Sequence, residues 1–475
     1  MISDDTLFLS INELAKAIRS RTVSPVELTE LSLHRLETIG ARLAAVAEIM
    51  RESALEQARA AEKEVRDGHY RGPLHGIPYG AKDLLATRDA KTTWGATPYK
   101  DQQFKDDATA IKKLRNAGAI LVAKLAMIEL AGGMGYNEAH ASLTGACRTP
   151  WNTDYWSGGS SSGPGAAVSA GLVSFAIGSE TSGSIITPSA FCGITGLRPT
   201  YGAISRHGAM ALSWTLDKLG PMCHSAADCW LVFKAIEGRD PLDPTSRDSK
   251  STMAHSALPM QAKKEIDRPI LAVVKDSYEK AQPEIRENFL RSLDVLKRVA
   301  NARIEMDVKL PEFPYGPAVG TIVDAEGASA FRELIESGRT IELASPTGRV
   351  GGFAASLVTA VDYLHAMRMR APMRRAWADL FSKYHLLIAP SRASVAYPID
   401  KTFDNAYPGP GASSPIGAAN LVGVPAISIP NGFGQNNLPT GIQFIGPAWS
   451  EALVIDVADK FQKETDWHKK HPVLG

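Results

Sequence analysis

One stretch of the chain, from Gly158 to Pro199, is rich in glycine and serine and carries almost no charge. Only Glu180 and Arg198 are charged among its 42 residues, whereas the chain-wide charged fraction of 22% would give about nine. A stretch with so little charge is expected to be buried. Glycine and serine fill a core poorly, but they let backbone amides and hydroxyls approach a ligand closely. The stretch therefore predicts a buried site built from backbone and hydroxyl groups.

Two other interpretations of glycine-rich sequence fit this chain badly. A flexible linker would be polar, yet Ala166–Ile177 is largely apolar. A phosphate-binding loop would need four residues between two glycines and then Lys-Ser or Lys-Thr, a spacing that Gly76–Lys82 lacks.

Composition narrows the class of protein. The chain has 475 residues, 44% of them hydrophobic, which is typical of a globular protein with a large core. With 52 Lys+Arg against 51 Asp+Glu, its formal charge of +1 offers no field for binding nucleic acid or an anionic membrane. The first residues lack a basic segment followed by an apolar run, so no secretory signal is predicted.

The four cysteines show neither a C-x-x-C pair nor a histidine spacing suited to zinc. We therefore expect reduced thiols in a cytoplasmic protein and no bound metal. The cysteines are Cys147, Cys192, Cys223 and Cys229.

Apolar spacing predicts helices that alternate with short strands, as in an α/β protein. Ser10 and Ser24 each begin a capping box, and Pro25 suits the first position of the second helix. Asp240–Arg268 is polar and aperiodic, which predicts a long surface excursion, and Pro372 is expected to kink or split a helix. Further predicted helices are Glu52–Arg66, Ala108–Asn116, Pro283–Val299 and Ala360–Tyr384, and predicted strands are Ile77–Tyr79, Ala119–Ala123, Leu172–Ile177 and Ile270–Val274.

Four ordered segments resemble the motifs of the amidase signature family. Gly76–Asp83 resembles its G-x-P-x-x-x-K-D stretch, and Lys124–Gly133 resembles the segment that borders its substrate pocket. Gly158–Thr200 resembles its serine- and glycine-rich core, and Leu421–Gly446 resembles its closing strands. The resemblance runs from about Ser10 to Phe461, nearly the whole chain.

The resemblance implies a single large α/β body, with a mixed central β-sheet flanked by helices on both faces. Within this one domain of 1–475, we expect N-terminal helices over 1–67 and a catalytic core over 68–239. We expect a variable, pocket-covering region over 240–384, and closing strands with a C-terminal helix over 385–475.

The resemblance also implies a Ser–Ser–Lys triad for amide hydrolysis, which falls on Ser184, Ser160 and Lys82. Ser184 would be the nucleophile, Ser160 would relay protons across a cis peptide bond, and a neutral Lys82 would be the base. Backbone N–H groups of Thr181, Ser182, Gly183 and Ser184 would stabilise the oxyanion. The reaction would pass through an acyl-serine intermediate without a cofactor.

A rival within the same stretch is the nucleophile elbow of α/β-hydrolases. Gly159–Gly163 satisfies G-x-S-x-G and would make Ser161 the nucleophile. The elbow requires a buried strand before the serine, whereas Trp151–Ser157 has the composition of a loop. We therefore favour the triad.

Three positions depart from the usual family pattern. Ile186 stands where most members have arginine, Glu180 where aspartate is usual, and Ser162 where glycine is common. With Ala131, Gly132 and Gly133 also expected near the pocket, Ile186 favours an apolar or roomy site. We expect a small-molecule aryl or alkyl amide or a carbamate as substrate (a urethanase activity in the last case).

An alternative within the same resemblance is a glutamine-hydrolysing component of a tRNA-dependent amidotransferase, which supplies ammonia to a partner protein. A catalytically inactive homologue is disfavoured because all three triad positions are intact. We expect no direct contact with nucleic acid and none with a membrane, and a homodimer is compatible with the resemblance.

Overall fold

Eleven strands form one mixed β-sheet in the computed structural model, which describes residues 2–248, 268–406 and 414–474. Their order across the sheet is β1-β3-β2-β4-β6-β5-β10-β11-β9-β7-β8. The strands are β1 (Val46–Ile49), β2 (Pro78–Lys82), β3 (Ile120–Leu125), β4 (Phe175–Glu180), β5 (Thr195–Arg198), β6 (Lys218–Cys223), β7 (Ile270–Val274), β8 (Arg303–Val308), β9 (Leu386–Pro390), β10 (Ala426–Phe433) and β11 (Pro439–Ile445).

Parallel and antiparallel pairs alternate in blocks along the sheet. β2 runs parallel to β3 and β4, and β7 runs parallel to β8 and β9, while β4, β6, β5, β10, β11 and β9 pair antiparallel in that order. The parallel block of β3, β2 and β4 brings three motif-bearing segments side by side.

Fifteen α-helices lie in the described residues. They are α1 (Ile11–Arg19), α2 (Pro25–Arg35), α3 (Arg51–Arg66), α4 (Thr109–Asn116), α5 (Ser162–Ser169), α6 (Ile186–Cys192), α7 (Ala226–Ile236), α8 (Pro283–Val299), α9 (Tyr315–Ala330), α10 (Arg332–Glu336), α11 (Pro346–Ala355), α12 (Ala360–Phe381), α13 (Phe403–Ala406), α14 (Ile416–Val422) and α15 (Glu451–Thr465).

Helices cover both faces of the sheet, because strand residues alternate between two apolar clusters. On β3, Leu121 packs in a cluster with residues of α1, α4 and α7. Its neighbours Ile120 and Val122 pack in another cluster, with residues of α3 and α5. The expected α/β body with a mixed, two-sided sheet is confirmed.

Helix starts follow the local sequence closely. The Ser10 hydroxyl accepts the N–H of Glu13, whose carboxylate accepts the N–H of Ser10, so the predicted capping box is present. Ser24 caps α2 from in front of Pro25. In the described contacts the Glu27 carboxylate does not accept the N–H of Ser24. The start of α2 therefore has only one of the two hydrogen bonds of the predicted capping box.

Pro372 does not split its helix, contrary to one of the two predicted outcomes. Residues 360–381 form one continuous helix, and buried Met373 and Trp377 hold its centre against the core. Packing of this face offsets the hydrogen bond that proline removes. Of the predicted surface excursion Asp240–Arg268, residues 249–267 lie outside the described residues.

No single described helix is long and apolar enough to cross a membrane. One pair, α11 and α12, meets such limits of length and composition only when taken together, and the two helices are bent by 92° at the break between them.

Candidate active site

The glycine- and serine-rich stretch is buried, as its lack of charge predicts. From Gly158 to Pro199, every residue is buried except Ser182, which is exposed, and Ser184, which is partly exposed. The one opening in this stretch therefore lies at the turn between β4 and α6. We call Thr181–Ser184 the serine turn.

Lys82 ends β2 and lies wholly inside the protein. Its Nζ is 2.7 Å from Oγ of Ser160 and 2.9 Å from Oγ of Ser179. Burial lowers the pKa of Lys82 to about 7, although Asp217 and Glu180 act in the opposite direction. An amine with this pKa is neutral in half of the molecules near neutral pH, and it can accept a proton from the Ser160 hydroxyl.

Ser160 lies just before α5 and is joined to Gly159 by a cis peptide bond. The indole of Trp156 lies so close to Gly159 that a Cβ at this position would be 2.7 Å from the Cζ2 atom of the ring. Only glycine therefore fits at position 159 without displacing the ring.

The serine turn presents free backbone donors. Among the described residues, the N–H groups of Ser182, Gly183 and Ser184 donate to no protein acceptor. Gly183 has a φ of 100°, which places it in a region that favours glycine. A cluster of unpaired N–H groups beside a partly exposed hydroxyl has the composition of an oxyanion-binding site.

Glu180 and Arg198, the two charges of the stretch, bond to each other in the interior. Arg198 Nη1 lies 3.0 Å from Glu180 Oε1, and both side chains are fully buried. The other carboxylate oxygen accepts the N–H groups of Ile185 and Ile186, at 2.9 and 3.0 Å. Asn420 Nδ2 donates to Oε1 at 2.8 Å. One carboxylate thus connects β4, β5, α6 and α14.

A cavity of about 180 Å³ reaches Ser179 and Thr181. Its charged lining groups are occupied by protein partners: Asp217 accepts the Thr181 hydroxyl at 2.7 Å, and Arg206 pairs with Asp243. Much of the remaining wall is apolar and includes Leu84, Ala131, Met210, Leu212, Trp214 and Leu219.

The residues predicted to line the pocket do not all lie at the cavity. Ala131 lines the cavity. Gly132 and Gly133 follow it, with a Cβ at Gly133 lying 2.4 Å from Leu212 and one at Gly132 lying 2.6 Å from Tyr136. Ile186 is fully buried in an apolar cluster with residues of α9, α12 and α14, away from the cavity wall.

Ser161, the nucleophile of the rival elbow, is fully buried. Its hydroxyl donates to the carbonyl of Ser179 at 3.1 Å and accepts the N–H of the same residue at 3.2 Å. The chain before it runs through loops and isolated bridges, without the strand that an elbow requires.

Three residues of this site were missed by the sequence analysis. Ser179 contacts Lys82, Asp217 holds the serine turn through Thr181, and Asn420 bonds Glu180. Nothing in its local sequence distinguishes Ser179 from the other serines of the stretch, and the other two come from distant segments.

No group of three histidine, cysteine, aspartate or glutamate side chains in the described ranges is arranged to hold a metal. All four cysteines are buried, and none of them forms a disulfide bond with another described cysteine.

Comparisons with known proteins agree with this architecture. The family model described as Amidase matches residues 27–455. A glutamyl-tRNA(Gln) amidotransferase subunit of Moorella thermoacetica is 33% identical over 98% of this chain and 99% of its own length.

Two solved structures share the fold. The peptide amidase of Stenotrophomonas maltophilia has a TM-score of 0.82 and 28% identity, over 98% of each chain. A glutamyl-tRNA(Gln) amidotransferase subunit of Thermotoga maritima has a TM-score of 0.78 and 27% identity, over 99% of this chain and 98% of that one. The chain therefore belongs to the amidase family and is an enzyme that acts on carbon–nitrogen bonds.

Proposed function

We propose that the chain hydrolyses amides through an acyl-Ser184 intermediate, with Lys82 as the base and Ser160 as the proton relay. The observation that carries the proposal is the 2.7 Å contact between Lys82 Nζ and Ser160 Oγ, made by an amine whose pKa burial lowers to about 7. The partly exposed Ser184 and the free N–H groups of the serine turn support it.

In the first half-reaction, the Ser184 hydroxyl attacks the amide carbon and passes its proton to Ser160, which passes its own proton to Lys82. The N–H groups of the serine turn stabilise the oxyanion of the tetrahedral intermediate, which a single such donor can do by about 3–4 kcal/mol. Ser160 then protonates the leaving amine, taking a proton from Lys82, and the C–N bond breaks. Water repeats the sequence on the acyl group and releases the acid.

Ser179 has a specific place in this scheme. A neutral amine has one lone pair, so it can accept only one proton. When Lys82 donates an N–H to Ser179 Oγ, 2.9 Å away, its lone pair stays available to accept the proton of Ser160.

For the substrate, the cavity favours an amide or a carbamate with an apolar aryl or alkyl group. Leu84, Met210, Leu212 and Leu219 offer it apolar contact. The charged side chains Arg206, Asp217 and Asp243 are engaged by protein partners, so they offer little to the charged ends of a free amino acid.

The relatives favour a second candidate, a glutamine-hydrolysing subunit. The M. thermoacetica protein is named as an amidotransferase subunit, and its similarity covers almost the whole of both chains. Such a protein would bind glutamine and work in a complex with a partner protein.

One experiment separates the candidates. The purified chain alone is incubated with glutamine, aliphatic amides, anilides and carbamate esters, beside Ser184→Ala as the inactive control. Turnover of the apolar substrates by the chain alone supports the first candidate. Turnover of glutamine that requires added amidotransferase partner subunits supports the second, and equal activity of wild type and Ser184→Ala would overturn the acyl-Ser184 proposal.

A further inference from the structure

Glu180 contacts the serine turn at both of its ends. Glu180 is the last residue of β4 and directly precedes Thr181. Its carboxylate accepts the N–H groups of Ile185 and Ile186, which directly follow the turn. The four residues between, including Ser184, therefore form a loop closed by one side chain. The turn that carries the Ser184 hydroxyl and the free N–H groups is thus tied at both ends to one residue.

The carboxylate is itself fixed in place. Arg198 and Asn420 both donate to Oε1, and each has a second anchor: Arg198 Nη2 donates to the carbonyl of Val424 at 2.8 Å, and Asn420 Nδ2 to the carbonyl of Ile416 at 2.9 Å. Because all three side chains are fully buried, no water can replace a lost contact without a rearrangement.

The ion pair also keeps Glu180 charged. Burial by itself raises the pKa of the Glu180 carboxyl, but Arg198, Asn420 and the two N–H groups outweigh burial, and the net effect lowers this pKa. An ionised carboxylate is the stronger acceptor for the two N–H groups beyond the turn.

We propose that Glu180, held by Arg198 and Asn420, is a positioning residue that sets the geometry of the serine turn for catalysis. The inference rests on the proposed acyl-Ser184 reaction. None of the three side chains needs to touch the substrate, so their loss acts on the rate of attack and not on substrate binding. A displacement of about 1 Å in a reacting group can cost about 100-fold in rate.

The test uses Asn420→Ala, which removes the hydrogen bonds to Glu180 and to the carbonyl of Ile416 without leaving an unpaired charge. We expect kcat to fall by about 10-fold, KM to change by less than about twofold, and the rate of Ser184 labelling by a fluorophosphonate to fall with kcat. The matched control is Asn288→Ala, which removes another buried amide, bonded to Phe433 and Thr440. The control should lose stability to a similar extent and keep kcat.

A second variant covers the case in which Asn420→Ala does not fold. Arg198→Lys keeps the charge but loses the planar fork, and it should lower kcat in the same way. Wild-type kcat and labelling rate in a folded variant of either residue would overturn the inference, as would an equal loss of kcat in Asn288→Ala. If wild type is labelled at a serine other than Ser184, the proposed reaction itself fails, which is a separate result.

Discussion

The amine of Lys82 and the hydroxyl of Ser160 lie 2.7 Å apart, although the two residues are 78 positions apart in the chain. The lysine lies at the end of β2, a fully buried strand between β3 and β4, and the loop before α5 brings the serine to it. The contact lies in the interior, where an amine is neutral at far lower pH than in water. Burial of the end of β2 therefore both places the Lys82 amine beside Ser160 and lowers its pKa.

The pH dependence of the reaction should follow the Lys82 amine. Only its neutral form can accept a proton, so kcat/KM should rise with pH through about 7 and then reach a plateau. The measurement is a pH–rate profile on an amide that does not itself titrate between pH 5 and 9. A rise centred above pH 9 would mean that the base has the basicity of an exposed lysine.

The pH dependence of stability should reveal the lowered pKa of Lys82 independently of activity. In the unfolded chain a lysine stays protonated up to pH 10.5, whereas buried Lys82 loses its proton at about 7. Between these pH values the unfolded state binds more protons than the folded state. The free energy of unfolding therefore rises with pH, and burying Lys82 destabilises the fold more as pH falls towards 7. The free energy of unfolding of wild type should gain about 1.4 kcal/mol per pH unit relative to Lys82→Met between pH 7 and 10.

Denaturant unfolding at pH 7, 8 and 9 measures this difference. Lys280→Met, which removes an exposed lysine, is the control and should follow wild type. Parallel curves for wild type and Lys82→Met would contradict a pKa of about 7.

Ser161 should contribute to stability and not to the chemistry. Its hydroxyl bonds both backbone groups of Ser179 and is closed to solvent. Ser161→Ala should lower the free energy of unfolding by about 2 kcal/mol, because two buried backbone groups lose a partner, while most activity remains. Calorimetry beside steady-state kinetics tests this, and a stable but inactive variant would support the elbow mechanism.

The apolar cavity should set which acyl groups are accepted. Trp214 lines the cavity and is 44% exposed, so Trp214→Ala should enlarge the site without opening the core. We expect kcat/KM to rise severalfold for amides with bulky acyl groups relative to small ones, since about 1–3 kcal/mol accompanies each methylene in an apolar pocket. Trp230→Ala, on α7 and outside the cavity lining, is the matched control. An unchanged preference would place the acyl site elsewhere.

Local sequence rules predicted much of the fold. The Ser10 capping box, the helix Pro283–Val299 and the strand Ile270–Val274 lie where their residues indicate, because caps and apolar spacing act within a few residues. Pro372 shows the limit of such rules, since long-range packing keeps its helix continuous.

The site was predictable only in part. The stretch around Ser160 and Ser184 stands out by its lack of charge, and burial follows from that. The partners of Glu180 could not be predicted, because Arg198 and Asn420 reach it from β5 and α14 through the topology of the sheet. Ile186, expected near the pocket, lies in an apolar cluster.

The most direct test of the account is the identity of the serine that is acylated. The wild-type chain is treated with a fluorophosphonate, digested, and mapped by mass spectrometry, beside Ser184→Ala and Ser160→Ala. We predict a single adduct on Ser184, none in Ser184→Ala, and slower labelling with little turnover in Ser160→Ala, since the nucleophile remains while the relay is lost. An adduct on Ser161, or full labelling of Ser184→Ala, would contradict the account.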